Sequence, residues 1–518
     1  MDAILIRQIT RARTQTTLPA FAVWRVFLCL LSESHILAAI NKEMILDNQQ
    51  SIRTESQPTS YPCTDVGNME RFVAQHGSYL RSGGTATTWH KWDGKRWKPS
   101  STADIFNLAL ATVSSIKDEV HTAKASAEAA ELHRWATISQ GEARIKSMVN
   151  MASKHESLLV SPEAFDTDRM KINCNNGIIN LKTGELLTRD TSDLVSKIID
   201  IDYIPGTPAP RFNAFIADIF DDDKGLMGWV KRALGYTLTG SVEEQCLMFG
   251  LGSGANGKST LLELIYYIMG DYSTLMDLDT LLAEKKSDIR SKESVGLLKG
   301  SRLAVASEVS STSKLNTAQV KRLSGDENLI GAKLHGASFT FAPQFKLWLL
   351  LNHLPFVREG SNAFWRRAKV VPFAKQFSGD KLDTRLPQKL RAEKEGVLAW
   401  LVEGAVEWHQ QLNLSKGASG LGECKAVEEQ IAIYKYDNDL TSRFLDDCTQ
   451  QSKGTWIAAR ELYDSYGNWC RHNDIDNIVT ENIFSSRMQE RGLKKKRTRA
   501  GYIYEDLVAV SSNHYSDF

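Results

Sequence analysis

The run Gly252-Ser253-Gly254-Ala255-Asn256-Gly257-Lys258-Ser259-Thr260 has the spacing GxxxxGK[ST] in full. An apolar, strand-like stretch, Met248-Phe249-Gly250-Leu251, leads into it, and an apolar helical run, Leu261 to Met269, leaves it. In that strand–loop–helix setting these residue types cradle phosphates. Glycines let backbone N–H groups turn inward, and the helix N-terminus adds its positive end. Lys258 would reach the β- and γ-phosphates of ATP, and the Ser259 hydroxyl would ligate Mg²⁺. Hydrolysis also needs a carboxylate at the tip of a neighbouring strand. The apolar stretch Leu303 to Ala306 ends at Ser307 and Glu308, 50 residues after the lysine. Glu308 can polarise the attacking water, help hold Mg²⁺, or both. A third strand, Lys346 to Leu351, ends at Asn352, which is placed to hydrogen-bond the γ-phosphate and the water. Arg366 and Arg367 precede a fourth strand and read as phosphate-sensing or finger arginines. Arg367 is the one expected to point outward, since Arg366 directly follows Trp365 and would be held in packing.

Such residues need a mixed α/β scaffold, and the chain is long enough to bury one. It has 518 residues, 42% hydrophobic and 24% charged, which excludes a mostly disordered chain, a collagen and a multi-span membrane protein. With 63 Lys+Arg against 62 Asp+Glu the net charge is +1, so any basic surface is local. Cys29, Cys63, Cys174, Cys246, Cys424, Cys448 and Cys470 include no CxxC pair. Neither a zinc ribbon nor a disulfide framework is indicated, and a reducing, cytoplasmic compartment is expected. Arg7, Arg11 and Arg13 precede an apolar run from Leu18 to Leu31. Arg25 interrupts it and Ser32 ends it, short of the ~20 residues a membrane span needs. It reads as a peripheral helix, with a targeting segment or a shorter chain opening at Met44 as the alternatives.

Further along, Trp89 to Trp97 has the pattern of a hairpin turning at Asp93-Gly94. Lys91, Lys95, Arg96 and Lys98 interleave with its three tryptophans. A stacking platform for single strands would look like this. So would a hairpin whose tryptophans pack on neighbouring helices and whose cations are solvated, and that reading is favoured. Residues 102–155 read as two or three helices, short strands follow over Ile172–Cys174 and Gly177–Leu187, and Phe212 to Leu238 is helical again. Asp200 and Asp202 could share a strand face and a metal, but Tyr203 to Gly206 closes that strand and no third ligand is evident. Residues 433–510 read as helix, helix, then strands. Within them, Ser486 to Arg499 holds seven Lys/Arg against one Glu.

Taken in order, the phosphate loop, strand-end Glu308, Ser324-Gly325-Asp326, Asn352-His353-Leu354-Pro355 and Trp365-Arg366-Arg367 with Val371-Pro372-Phe373 resemble the superfamily 3 helicases. The likeness is to the helicase half of the phage/plasmid and poxvirus-type primase-helicases. Asn176 to Gly184 and Leu234 to Gly240 agree with it. The resemblance covers residues 64–510 and is most specific over 245–375. It implies an α/β protein: a P-loop AAA+-like ATPase core, a helical/mixed N-terminal region and a C-terminal winged-helix domain. The implied divisions are a poorly ordered segment at 1–63, a mixed domain at 64–240, the core at 241–400, a helical connector at 401–432 and the winged helix at 433–518.

The resemblance further implies an ATP hydrolase that moves along single-stranded or forked DNA as a hexameric ring, with Mg²⁺ and with ATP between subunits. A separate primase or origin-binding protein would be a partner, and no membrane is involved. Glu308 then belongs to the second acidic motif, where Ser307 stands in place of a second acid, and Asn352 is the sensor. Arg366 or Arg367 is the finger reaching the neighbour's ATP. Ile330 to Gly336 falls where the family places its DNA-tracking hairpin, which makes Lys333 and His335 backbone-phosphate contacts. Lys494, Lys495, Lys496 and Arg497 form a basic, DNA-contacting wing. The expected source is a phage, prophage or plasmid in a bacterial host. The absence of a zinc-binding cysteine pattern and the little room before residue 64 make priming activity unexpected. A bifunctional primase-helicase, a DNA-binding loader without unwinding and a small-molecule P-loop kinase are the alternatives.

Overall fold

The computed structural model describes residues 61–282, 288–307, 314–333, 336–357, 362–379, 383–414, 417–473, 475, 478–499 and 501–510. The chain divides into two compact units.

The first unit comprises residues 61–78, Thr85–Thr87 and Ser101–Leu158 and is helical. Its helices are α1 (Asp65–His76), α2 (Thr102–Glu119), α3 (Ser126–Ile138) and α4 (Glu142–Ala152). Short polar side chains start two of them. Thr64 caps α1 by accepting from the Gly67 N–H, and Ser101 and Asp104 form a reciprocal capping box on α2. The unit is pinned by polar groups as well as apolar ones. Arg71, fully buried, donates to both carboxylate oxygens of Glu119 at 2.7 Å. Asn68 accepts from the Trp135 indole and donates to Ser139.

The second unit opens with a three-stranded antiparallel sheet, β1 (Leu80–Ser82), β2 (Trp89–Trp92) and β3 (Trp97–Ser100). Asp93 accepts from the N–H groups of Lys95 and Arg96, and Gly94 takes a φ of 94° in the turn. Trp89 and Trp97 are buried. Asp93 pairs with Lys98, and Arg96 with Asp271. Two of the three tryptophans are thus packed as the favoured reading expects, but Arg96 and Lys98 are ion-paired where it has the cations solvated. A second antiparallel sheet, β4 (Lys171–Cys174), β5 (Gly177–Asn180) and β6 (Glu185–Leu187), follows, then helices α5 (Pro210–Ile219) and α6 (Lys224–Leu238).

The centre of this unit is a five-stranded parallel sheet. Its strands are β7 (Leu247–Leu251), β8 (Ser273–Leu275), β9 (Leu303–Ser307), β12 (Lys346–Leu351) and β13 (Ala368–Pro372), in the order β13-β7-β12-β9-β8. Between β9 and β12 stands an antiparallel hairpin, β10 (Leu329–Ala332) and β11 (Ser338–Phe341). The crossovers carry α7 (Lys258–Met269), α8 (Asp288–Gly296), α9 (Thr317–Leu323) and α10 (Asn362–Trp365). After the sheet come α11 (Leu386–Arg391), α12 (Lys394–Leu412) and α13 (Lys425–Asn438). Side chains alternate between two cores, as a parallel sheet covered on both faces requires. Met248, Val305, Trp348, Leu350 and Val371 pack in one, with residues of α5, α6, α7 and α12. Leu247, Phe249, Ala304, Leu349 and Val370 pack in the other, with Val295, Val320, Phe364 and Tyr434. Each such side chain contributes about 1.5–3 kcal/mol of burial.

Helices α6 and α12 meet at glycines. A Cβ on Gly235 would overlap the Ala405 nitrogen and the Gly404 carbonyl carbon, and one on Gly404 would overlap the Lys231 carbonyl oxygen. The end of α6 is held by two buried cations. Arg302 donates to Leu238 O at 2.7 Å, to Lys171 O at 2.6 Å and to Asp168 O at 3.2 Å. Lys346 donates to the carbonyls of Thr239, Ser241 and Gln344. Positive groups at a helix C-terminus satisfy orphan carbonyls and favour the helix dipole. Burial in turn pushes both cations below their ordinary basicity, Lys346 well below.

The last part runs α14 (Leu440–Cys448), β14 (Thr449–Ala458), α15 (Ala459–His472), α16 (Glu481–Glu490), β15 (Lys495–Thr498) and β16 (Gly501–Ala509). Its sheet has the order β14-β16-β15 and packs on Phe444, Leu462, Tyr466, Trp469, Phe484 and Met488. Strand β14 is an addition to the sequence expectation of two helices followed by strands. Gln450, Gln451, Ser452 and Lys453 lack the apolar alternation that announces a strand.

Candidate functional site

Residues 252–257 connect β7 to α7 in a tight loop. Gly254, Ala255 and Gly257 have φ values of 102°, 47° and 80°. These left-handed turns fold the loop over the start of the helix. A Cβ on Gly252 would overlap the Asn256 amide, so that position accepts glycine alone. Asn256 is buried and donates to Phe373 O across to the end of β13. Gly252 N–H donates to Leu351 O at 3.1 Å, and Phe373 N–H to Leu251 O at 2.7 Å. The loop is therefore fastened to the carboxyl ends of both strands flanking β7. In open α/β sheets that end is where ligands settle.

Lys258 is buried, and its amine makes three hydrogen bonds: to Gly252 O at 2.6 Å, Leu351 O at 2.8 Å and Asn352 Oδ1 at 3.0 Å. All three partners are neutral oxygens, so the ammonium charge is uncompensated by them. Burial pushes its pKa down. Ser259 is exposed on the first turn of α7, beside this charge. The fold thus brings together Lys258 and Asn352, which are 94 residues apart in sequence. The donor set fits a nucleotide's phosphates: turned backbone, a helix start and a cation lacking an anion. Ser259 would hold the Mg²⁺. Glu308, the other expected Mg²⁺ ligand, lies outside the described residues, and so does His335. Among the described residues no group of three His, Cys, Asp or Glu side chains could hold a metal, which includes Asp200 and Asp202.

Arg366 and Arg367 occupy the opposite end of the sheet. Ala368 pairs with Leu247 in parallel register, so the arginines sit beside the start of β7, not its phosphate-loop end. The length of β7 separates the two ends by roughly 15 Å. Arg367 is buried and donates to Ala363 O at 2.9 Å and Gln245 Oε1 at 3.0 Å, while exposed Arg366 reaches the same Gln245 oxygen at 3.2 Å. The expectation that Arg366 is packed and Arg367 turned outward is therefore reversed. The residue leading into β13 is drawn inward with the strand, and its predecessor is left at the surface. Gln245, with a φ of 45°, is a contributor that sequence reasoning missed.

Lys333 is exposed just beyond β10, where its carbonyl accepts from Gly336 N–H in the hairpin turn. The hairpin is seated by a glycine pair: a Cβ on Gly331 would lie 2.6 Å from the Cα of Gly296 at the end of α8. In the C-terminal sheet Lys494, Lys496 and Arg497 are exposed. Lys495 is turned inward, donating to Ser485 Oγ at 2.8 Å and lying 4.9 Å from the Tyr502 ring centroid. Lys496 pairs with Glu505 at 2.7 Å. The expected basic cluster thus splits into one structural cation and three surface ones.

Comparison with known proteins places two family models on the chain: "D5 N terminal like" over residues 69–221 and "Poxvirus D5 protein-like" over residues 436–515. A protein named as a helicase in Acanthamoeba polyphaga mimivirus is 27% identical over 385 residues, covering 67% of this chain and 39% of the relative. One so named in frog virus 3 (isolate Goorha) is 24% identical over 288 residues, covering 52% and 29%. A protein named as a primase in African swine fever virus (strain Badajoz 1971 Vero-adapted) is 17% identical over 329 residues, covering 60% and 34%. The chain thus spans less than half the length of these relatives. The solved structure of the NrS-1 C terminal region (305-718) aligns over 86% of this chain and 99% of its own with a TM-score of 0.48 and 10% identity. These relatives come from large DNA viruses of eukaryotes, which overturns the expected phage, prophage or plasmid source in a bacterial host. The chemistry expected of the motifs, phosphate handling, is the same in every host, so they could not separate the two. No helix among the described residues is long and apolar enough to cross a membrane.

Proposed function

We propose, from its matches to the D5-type family models and its likeness to viral proteins named as helicases, that this chain is the ATP-driven DNA helicase part of a viral replication protein of the poxvirus-type primase-helicase family. The carrying observation is the Lys258–Asn352 contact at the carboxyl end of β7, where a buried cation with neutral partners meets a turned glycine loop. In this reading the parallel sheet is a P-loop AAA+-like ATPase core. Lys258 binds and orients the β- and γ-phosphates, Asn352 positions the γ-phosphate and the attacking water, and Ser259 with Glu308 holds Mg²⁺. Bound Mg²⁺ supplies charge neutralisation between the phosphate oxygens.

A ring, taken as a hexamer, is part of this reading, and the placement of the arginines supports it. The arginine pair stands a strand's length from its own phosphate loop, so it serves the site of a neighbouring subunit. Exposed Arg366 is the better finger. Lys333 and His335 at the β10–β11 turn track the DNA backbone, and the α14–β16 region is a winged helix with Lys494, Lys496 and Arg497 on DNA. The test is ATP hydrolysis with and without single-stranded DNA, alongside strand displacement on a fork. Lys333→Ala should keep hydrolysis and lose displacement; absence of any DNA stimulation would defeat the reading. A primase-helicase is the second reading, favoured by the relative named as a primase. Primer synthesis by this chain alone on a single-stranded template would establish it.

A further inference from the structure

We infer that Trp456, on the open face of the C-terminal sheet, is a stacking contact for an unpaired base of single-stranded DNA. This rests on the proposal that the C-terminal region binds DNA. Among the described residues every other tryptophan is buried or half-buried, and Trp456 is 63% exposed. The register assigns it a face. Trp456 pairs with Glu505, whereas the next pair, Ile457 and Tyr504, is buried against the helices. Across β16, Lys496 pairs with Ile503 and so shares the outer face with Trp456 and Glu505. The Lys494 carbonyl accepts from Glu505 N–H, which brings Lys494 alongside.

An exposed indole therefore stands two strand spacings, roughly 10 Å, from a row of cations. Sequence-tolerant single-strand binding combines these two parts: a ring for the base and lysines for the flanking phosphates. Charge complementarity decides the occupant. Lys494 and Lys496 are exposed on this face, with Arg499 beyond them in the turn, against Glu505, which is paired with Lys496, and Asp506, which accepts from Gly454 N–H. Strand β14 is irregular just before Trp456, with a register shift between Gln451 and Trp456 and Gly454 at a φ of 81°. Such a bulge re-aims a side chain. Double-stranded DNA offers no open base face, so the contact selects single strands.

The test is equilibrium binding of a labelled oligo-dT and of an abasic strand of equal length, at several salt concentrations, to the full chain. Trp456→Ala should bind oligo-dT about 5- to 100-fold more weakly. Its salt slope should be unchanged, because no phosphate contact is lost. Trp456→Phe should recover most of the affinity, and the abasic strand should bind wild type and Trp456→Ala equally. Glu505→Gln should tighten both strands by releasing Lys496. Oligo-dT affinity unchanged in Trp456→Ala, with charge-dependent binding intact, overturns stacking but leaves the DNA-binding reading standing. No binding by wild type overturns both. A change in particle mass in Trp456→Ala without a change in affinity assigns the ring to a protein contact and overturns the proposal.

Discussion

Lys258 and Lys346 sit at opposite ends of one sheet with the same local chemistry. Each is a buried amine with three neutral oxygen partners, and each is pushed below its ordinary pKa by burial. What differs is what lies beside them. Lys346, with Arg302, faces the spent end of α6, where every partner is a backbone carbonyl. Lys258 faces the start of α7, with exposed Ser259 adjacent and Asn352 as one partner. A buried cation alone therefore does not mark a phosphate site. Its position at a helix start, under turned glycines and beside an exposed serine, is what the proposed phosphate site adds.

The contrast breaks most sharply at the arginines. On the proposed neighbour-serving role, Arg366→Ala should lower ATP hydrolysis by ~10³-fold or more while ATP binding persists. Mixing it with Lys258→Ala subunits should restore part of the rate. Equal activity in a strictly monomeric preparation would remove the neighbour from the mechanism. Next, Lys258→Ala should cost ~10²–10³ in hydrolysis with the fold retained by circular dichroism. A near-normal rate would show that the two ends of the sheet are chemically alike after all.

At the other end the loss should be in stability. Arg302→Met removes the guanidinium donor from the carbonyls of Leu238 and Lys171, for about 3 kcal/mol or more by urea unfolding. The Lys258 variant should show no comparable shift. The smallest effect is in pH. A lysine whose folded pKa is depressed binds fewer protons folded than unfolded, so its penalty fades as pH rises from the folded value towards the unfolded 10.5. Wild type should gain stability along that rise, and Lys346→Met should gain less. Parallel curves would mean that Lys346 stays charged throughout.

The turned loop before α7 was legible in the sequence because it is built from neighbours: nine consecutive residues, Gly252 to Thr260, carry both the turn and the charge proposed to hold phosphate. Asn352 was legible because a polar residue closing an all-apolar strand, Leu347 to Leu351, has few other reasons to be there. Arg302 and Lys346 carry no local signal of their task, since the carbonyls they hold lie 64 and 107 residues earlier. The inward turn of Arg367 depends on Gln245, which is 122 residues away and belongs to no motif. Strand β14 stayed hidden because its ladder with β16, not its own side chains, makes it a strand. Local chemistry could be read from sequence, and long-range backbone satisfaction could not.

The glycine contact between α6 and α12 has a mechanical consequence. Helix α6 delivers the chain to the phosphate-loop strand, and α12 carries it away from the last strand of the sheet. Where Gly235 meets Gly404 there is no side chain to compress or rotate, only peptide against peptide. The seam works as a joint with no clearance. Load entering along α12 is handed to α6 without slack, and a single methyl at either glycine would turn a stiff coupling into a wedge.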